Sequence, residues 1–320
     1  MDESSGTAAR DDGVVIPFDR ACCPYGCLDQ YCCPASGDVE GPPVVLLHGH
    51  PRTHTTWDRV APLLASAGLT VVCPDLRGYG RSTAPAPQAD HAQASKRAMA
   101  SDVVTLMEGL GHEPFAVVGH DRGSYDAHRL AMDHPERVSD LAVLDSVPIG
   151  EALARTDARF AEVWWRWFFF AQRDKPERAT MADPDAWYGT GLEQQVQTGD
   201  QNYADYLAAI HDPAVVQAMI EEYRAGLGVD RAADDADQAA GRSVQCPTLV
   251  LWSTRDDMEI LYGDVLETWR PWAIDLTEHR VESGHHMAED APNHLAALLI
   301  THIAPPPSVD ADSSPRQPHS

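Results

Sequence analysis

Short apolar runs alternate with amphipathic stretches through most of this chain. Residues 43–47 (Pro-Val-Val-Leu-Leu), 69–73, 115–118, 141–144 and 248–252 are continuous apolar runs, the pattern of strands buried on both faces. Helical spacing occupies residues 56–67 and 97–110 between them. Strand, helix and strand in alternation predict a mostly parallel, doubly wound sheet of the α/β class. Two further runs, 14–18 and 30–33, predict early strands. The alternation stops after residue 148. Residues 149–240 are aromatic and helical in pattern, densest at Trp-Trp-Arg-Trp-Phe-Phe-Phe (164–170). They predict a helical cap inserted into a core formed by residues 14–148 and 241–304. The polar start, 1–13, and the Pro- and Ser-rich end, 305–320, are expected to lack fixed structure.

Composition narrows the partners. The 320 residues suffice for one large α/β domain with an inserted subdomain, and 43% hydrophobic with 23% charged residues is a globular balance. Lys and Arg number 24 against 49 Asp and Glu, a net charge of −25. Such a surface repels nucleic acid and anionic membrane, so a small-molecule substrate is the expected partner. No apolar stretch is long enough to span a bilayer, and the start of the chain has the reverse character of a signal peptide, so a cytoplasmic protein is expected. Cys22, Cys23, Cys27, Cys32 and Cys33 cluster near the start. Their spacing lacks a C-x₂-C pair, and a reducing cytoplasm disfavours a disulfide knot, so they are read as strand and hairpin residues.

The chemistry concentrates at Gly119-His120-Asp121-Arg122-Gly123, where an apolar run meets a small-residue turn. This is the shape of the G-x-S-x-G nucleophile elbow of α/β-hydrolases, with Asp in place of Ser. A serine there attacks carbonyls. A carboxylate attacks an electrophilic sp³ carbon and leaves an alkyl-enzyme ester. An Asp at such a turn also serves as an ordinary helix cap, and the surrounding pieces decide against that role. Upstream, His48-Gly49-His50-Pro51 follows a strand, with Gly49 allowing a sharp turn. The amides of His50 and Arg122 can then form an anion-binding hole. Downstream, Ser283-Gly284-His285 brings an imidazole back to the elbow, where His285 can activate water on the ester. The orienting acid is either Asp145 or Asp256, each following a core strand.

The run 119–123, with 128–138, 141–145, 48–51, 96–100, 164–172, 222–226 and 282–292, resembles the fluoroacetate (haloacetate) dehalogenase branch of the α/β-hydrolases, over most of residues 41–302. The resemblance implies an α/β-hydrolase fold, Asp121 as nucleophile, His285 as base, and Asp145 rather than Asp256 as the acid. It implies Arg122 as the clamp on a substrate carboxylate, a role suited to a planar guanidinium. It also implies Trp167 and Tyr223 in the cap as the cradle of the leaving halide. No metal or cofactor is implied, and a homodimer is one expected assembly.

Two positions depart from that pattern. The family's second carboxylate-binding Arg is replaced by Tyr125, and its halide-binding His by Arg166. Loss of one charged hydrogen bond costs about 1.5–3 kcal/mol, roughly ten- to a hundredfold in affinity. Arg166 is then a candidate for either lost role. Two readings result: hydrolytic dehalogenation of a small 2-halocarboxylic acid, and epoxide hydrolysis by the same Asp121 and His285 with Tyr223 as proton donor. A third, a hydrolase-fold binding protein without turnover, conflicts with a complete Asp-His-acid set.

Overall fold

The computed structural model describes residues 5–9, 15–19, 41–188 and 201–304. Six parallel strands form one sheet in the order β4-β3-β5-β6-β7-β8: β3 (Pro43–Leu47), β4 (Thr70–Val72), β5 (Phe115–His120), β6 (Val138–Leu144), β7 (Thr248–Ser253) and β8 (Leu276–Val281). The apolar runs place their residues alternately on two faces. Val45, Leu47, Val117, Val143 and Val250 share one core with the helices Lys96–Leu110 and Arg122–Asp133. Val44, Leu46, Val118, Leu144 and Leu251 share the other with the helices Ala61–Ser66 and Pro292–Ile303. A sheet covered on both faces has no polar side, which is why its strands read as unbroken apolar runs.

Departures from the sequence reading have local causes. β8 escaped the pattern because it is an edge strand, with Thr277, Glu278, His279 and Arg280 all exposed. The helix expected over 56–67 divides into a 3₁₀ turn, His54–Trp57, and an α-helix, Ala61–Ser66, with Pro62 in its first turn. The start of the chain needs a correction: Ser5–Ala9 (β1) pairs antiparallel with Val15–Asp19 (β2), where 1–13 was expected to lack structure. The residues of β1 carry no hydrophobic alternation, so backbone pairing alone defines it. The strand expected at 30–33, the five clustered cysteines and the tail 305–320 lie outside the described residues.

From Ile149 to Ala239 every described element is helical. Phe160, Trp167, Phe170, Val216, Met219, Ile220 and Tyr223 continue the first core upward from the sheet, so cap and core share one apolar interior. The helix Pro213–Ala225 runs through a π-helical turn, Gly226–Asp230, into Arg231–Ala239. No helix among the described residues is long and apolar enough to cross a membrane.

The chain winds from β3 to β4 and then returns to place β5 on the other side of β3. That reversal opens a crevice at the carboxyl ends of β3 and β5, the place where open α/β sheets bind ligands. The crevice depends on close packing behind it. A Cβ on Gly123 would lie 2.4 Å from the carbonyl oxygens of both Leu47 and His48. Gly123→Ala is therefore expected to push the elbow helix off β3 and lower stability by about 1–3 kcal/mol. Urea unfolding checks this, and an unchanged midpoint would show that the strand and helix do not pack this closely.

Candidate active site

Asp121 follows β5 and stands at the N-terminus of the elbow helix, its side chain making no cap hydrogen bond, with φ 51° and ψ −117°. Positive φ is costly for a residue with a Cβ, and such strain persists only where neighbours hold it. Here the Asp121 amide donates to the Leu144 carbonyl (3.0 Å), and the Ser124 amide donates to the Asp121 carbonyl (3.0 Å). The turn lifts the carboxylate above the sheet, against the loop that follows β3. The His50 amide donates to Asp121 Oδ1 at 2.7 Å. Gly49 is required by this approach more than by the sharpness of its turn: a Cβ there would lie 2.6 Å from both the Cβ and Oδ1 of Asp121.

His285 stands over the other carboxylate oxygen, with Nε2 3.7 Å from Asp121 Oδ2. Its backbone carbonyl accepts a 2.7 Å hydrogen bond from His120 Nε2, which ties the loop after β8 to the end of β5. Burial works against the Asp121 charge, yet His285, His120 and the Arg122 amide hold its carboxyl far below the usual carboxylate range. Burial also works against a charged His285, but Asp121 and Asp256 outweigh it and hold the imidazole well above its ordinary pKa. The two shifts have one cause: carboxylate and imidazole each favour the charged form of the other.

Both candidate acids meet His285. Asp256 Oδ2 lies 2.8 Å from Nδ1, and Asp145 Oδ2 lies 3.6 Å from the same nitrogen. In the geometry Asp256, and not the expected Asp145, makes the hydrogen-bond-length contact, although the free oxygen of Asp145 faces the same nitrogen. Its Oδ1 accepts from the amide and hydroxyl of Ser253, at 2.7 and 3.0 Å. Its Oδ2 is buried without a hydrogen bond, and burial pushes its pKa up to about 7. Asp256 is partly exposed; burial works to raise its pKa, but the bond to His285 takes it below the ordinary value. His120, Asp145 and His285 bring ligand-type atoms within 4.8 Å of one another, but the contacts just described already occupy His120 Nε2 and His285 Nδ1.

Arg122 requires the larger correction. Its amide faces Asp121 as expected, but its guanidinium turns away from the crevice and is fully buried. Nε donates to Glu222 Oε1 (2.9 Å) and Nη2 to the Glu222 carbonyl (3.0 Å), while the Tyr223 ring covers Cζ at 4.2 Å. Glu222 also takes Lys96 Nζ and the Tyr79 hydroxyl, and Lys96 Nζ reaches the Arg122 carbonyl at 3.1 Å. Burial works to raise the Glu222 pKa, but the charges of Arg122 and Lys96 bring it down to about 2. The cap helix is thereby bolted to the elbow through ions that water does not reach. Sequence reading missed Glu222, whose partners lie 100 and more positions away.

The crevice above Asp121 is a cavity of about 350 Å³. Trp167, Tyr223 and Arg166 all line it, with Trp164, Trp187 and Tyr188. His50 contributes its ring as well as its amide, which the sequence reading did not consider. Both ring nitrogens are buried without partners, burial takes the pKa down to about 3, and the ring meets the edges of Phe170, Tyr188 and Tyr223. A larger cavity, about 630 Å³ between residues 77–87 and the helix Pro213–Ala225, contains none of these groups.

With two carboxylates at one imidazole nitrogen, either can orient the ring when the other is lost. Asp256→Asn is expected to cost more turnover than Asp145→Asn, and the double variant more than the two losses combined. Steady-state rates of the three variants check this. Complete loss in Asp145→Asn beside a silent Asp256→Asn would make Asp145 the only working acid.

Several known proteins are similar to this chain in sequence and fold. A fluoroacetate dehalogenase from Burkholderia sp is 40% identical over 266 residues, covering 81% of this chain and 86% of that protein. A soluble epoxide hydrolase from Corynebacterium sp. (strain C12) is 28% identical over 278 residues, covering 83% and 91%. The crystal structure of ALR0039 from Nostoc sp PCC 7120 superposes with a TM-score of 0.82 at 36% identity, covering 95% of this chain and 98% of that one. The family profile described as alpha/beta hydrolase fold matches residues 42–292, and the chain belongs to that family of hydrolases.

Proposed function

We propose that this hydrolase uses Asp121 as a nucleophile to displace halide from a small 2-halocarboxylic acid and then hydrolyses the resulting ester. The observation that carries the reading is the division of labour between the two oxygens of Asp121. Oδ1 rests on the His50 amide, while Oδ2 faces His285. Oδ2 attacks the carbon bearing the halogen; the new C–O bond forms as the carbon–halogen bond breaks, and halide leaves with the electron pair. Trp167 and Tyr223, both at the cavity wall, are the groups to receive it.

Alkylation removes the charge of Asp121. His285 then loses one of the carboxylates that raise its pKa, so the neutral imidazole that can act as a base is favoured, its proton passing to solvent. Water attacks the ester carbonyl while His285 Nε2 takes its proton. The oxyanion forms on Oδ1, already seated at the amide of His50 and beside that of Arg122. Collapse releases the 2-hydroxy acid, with His285 supplying the proton of the alcohol, and leaves Asp121 as a carboxylic acid; it returns to the carboxylate by giving its proton to the now neutral His285. Asp256, with Asp145 behind it, holds the ring through Nδ1. The 40% identity to a fluoroacetate dehalogenase supports the choice of substrate class.

Epoxide hydrolysis remains the second reading, favoured by one specific observation. The Tyr188 hydroxyl is buried without a partner, and the rings of Tyr188 and Tyr223 both meet His50 across the cavity. A hydroxyl so placed can protonate an opening oxirane.

Two measurements test the proposal. Halide release from 2-chloropropanoate is expected in the wild type and absent in Asp121→Asn. His285→Gln is expected to release at most one halide per protein and to retain the carboxyalkyl mass on the peptide containing Asp121. Turnover by Asp121→Asn would remove Asp121 from the mechanism. The electrostatic step is checked by NMR titration of His285: its pKa is expected to fall in Asp121→Asn, since the carboxylate that raises it is gone. An unmoved pKa would mean that another group keeps the imidazole charged.

A further inference from the structure

Arg122 is turned toward Glu222 through Nε and Nη2; its Nη1 is buried without a hydrogen-bond partner, but the residue does not line the cavity, and Tyr125 stands where a second clamp would be. Yet an anionic substrate approaching the Asp121 carboxylate needs a cation to offset the repulsion. The charged side chains at the cavity wall are Asp121, Asp256, Asp257, His285 and Arg166. His285 is shared by the carboxylates around it, and Asp257 accepts from Trp164 Nε1 at 2.6 Å. Arg166 differs: among the described residues it has no carboxylate partner, and its one ring contact is Trp165, 5.0 Å from Cζ. Arg166 is solvent-exposed at the mouth of the cavity, whose wall it shares with Tyr188. Tyr188 adds a buried hydroxyl with no hydrogen-bond partner at the same wall.

We infer that Arg166 and the Tyr188 hydroxyl form the carboxylate subsite of this enzyme, held by the cap instead of by the elbow. This rests on the dehalogenase reading and specifies how its substrate is recognised: a halocarboxylate whose acid group points toward the cap while the carbon bearing the halogen lies over Asp121. The guanidinium provides a planar pair of donors, and the phenol a third. A neutral haloalkane or haloamide would leave these donors unpaired, so the subsite selects for acids.

The test compares 2-chloropropanoate with 2-chloropropanamide in the wild type, Arg166→Gln, Arg166→Lys and Tyr188→Phe. In Arg166→Gln the acid-to-amide ratio of kcat/KM is expected to fall about tenfold to a hundredfold, mainly through KM for the acid. Arg166→Lys is expected to recover part of it, since the charge returns without the fork. Tyr188→Phe is expected to lower the same ratio by a smaller factor. An unchanged ratio in Arg166→Gln overturns the inference. Binding of unreactive propanoate, read from the fluorescence of Trp164, Trp167 and Trp187, separates this from the reaction itself. If the wild type releases no halide from either compound, the dehalogenase reading fails; propanoate binding that weakens in Arg166→Gln would still support the subsite, and binding that does not weaken would overturn it.

Discussion

An ionised carboxylate at the floor of an aromatic cavity is costly unless fixed dipoles and charges surround it, and Asp121 is surrounded in this way. The His50 amide, the Arg122 amide and the His285 ring all address its two oxygens. Each of these donors comes from a different strand end: β3, β5 and β8. The sheet therefore does more than support the site. Its parallel order brings three carboxyl-terminal loops to one point, and the glycines at 49 and 123 let backbone and carboxylate approach within van der Waals distance. Positive φ at Asp121, and also at Asp145, is the local strain by which two side chains are aimed at the same imidazole.

A second set of buried ions governs the cap. Arg122, Lys96 and Glu222 are almost wholly removed from water, and burying charges is tolerable only when each is paired and bonded. Glu222 meets that condition with bonds from Arg122, Lys96 and Tyr79. The consequence is positional. Tyr223 follows Glu222 on the cap helix, so the bolt that anchors Glu222 also sets the Tyr223 ring against Arg122 and against His50. An arginine that resembled a substrate clamp in the sequence is, in the fold, a strut between elbow and cap.

Much of this was legible in advance. The five strands buried on both faces announced themselves as apolar runs, and the groups at His50 and Asp121 stand just after two of them, where loop position follows from strand position; His285 was legible only from the Ser-Gly-His pattern. Other features were not legible for reasons of distance. Whether Asp145 or Asp256 lies nearer to His285 depends on a difference of less than 1 Å between two strand ends, which no spacing rule resolves. The engagement of Arg122 by Glu222 joins residues 100 positions apart and depends on how the cap lies on the sheet. β8 was hidden because an edge strand needs no apolar run.

The net charge of −25 bears on how an acidic substrate could reach such a site. A uniformly negative surface slows the approach of an anion, and a carboxylate nucleophile at the end of the path adds to the repulsion. At the cavity wall Asp121 and Asp256 stand with His285 and Arg166, while burial takes Asp257 up to about 6. Under the proposed reading, Arg166 has two effects at the cavity rim. It holds the acid group once bound, and it lowers the barrier to entry. The second effect is long-ranged and screened by salt, whereas the first is a contact that salt weakens much less. Ionic strength therefore acts on the rate of capture more than on the affinity of the bound acid.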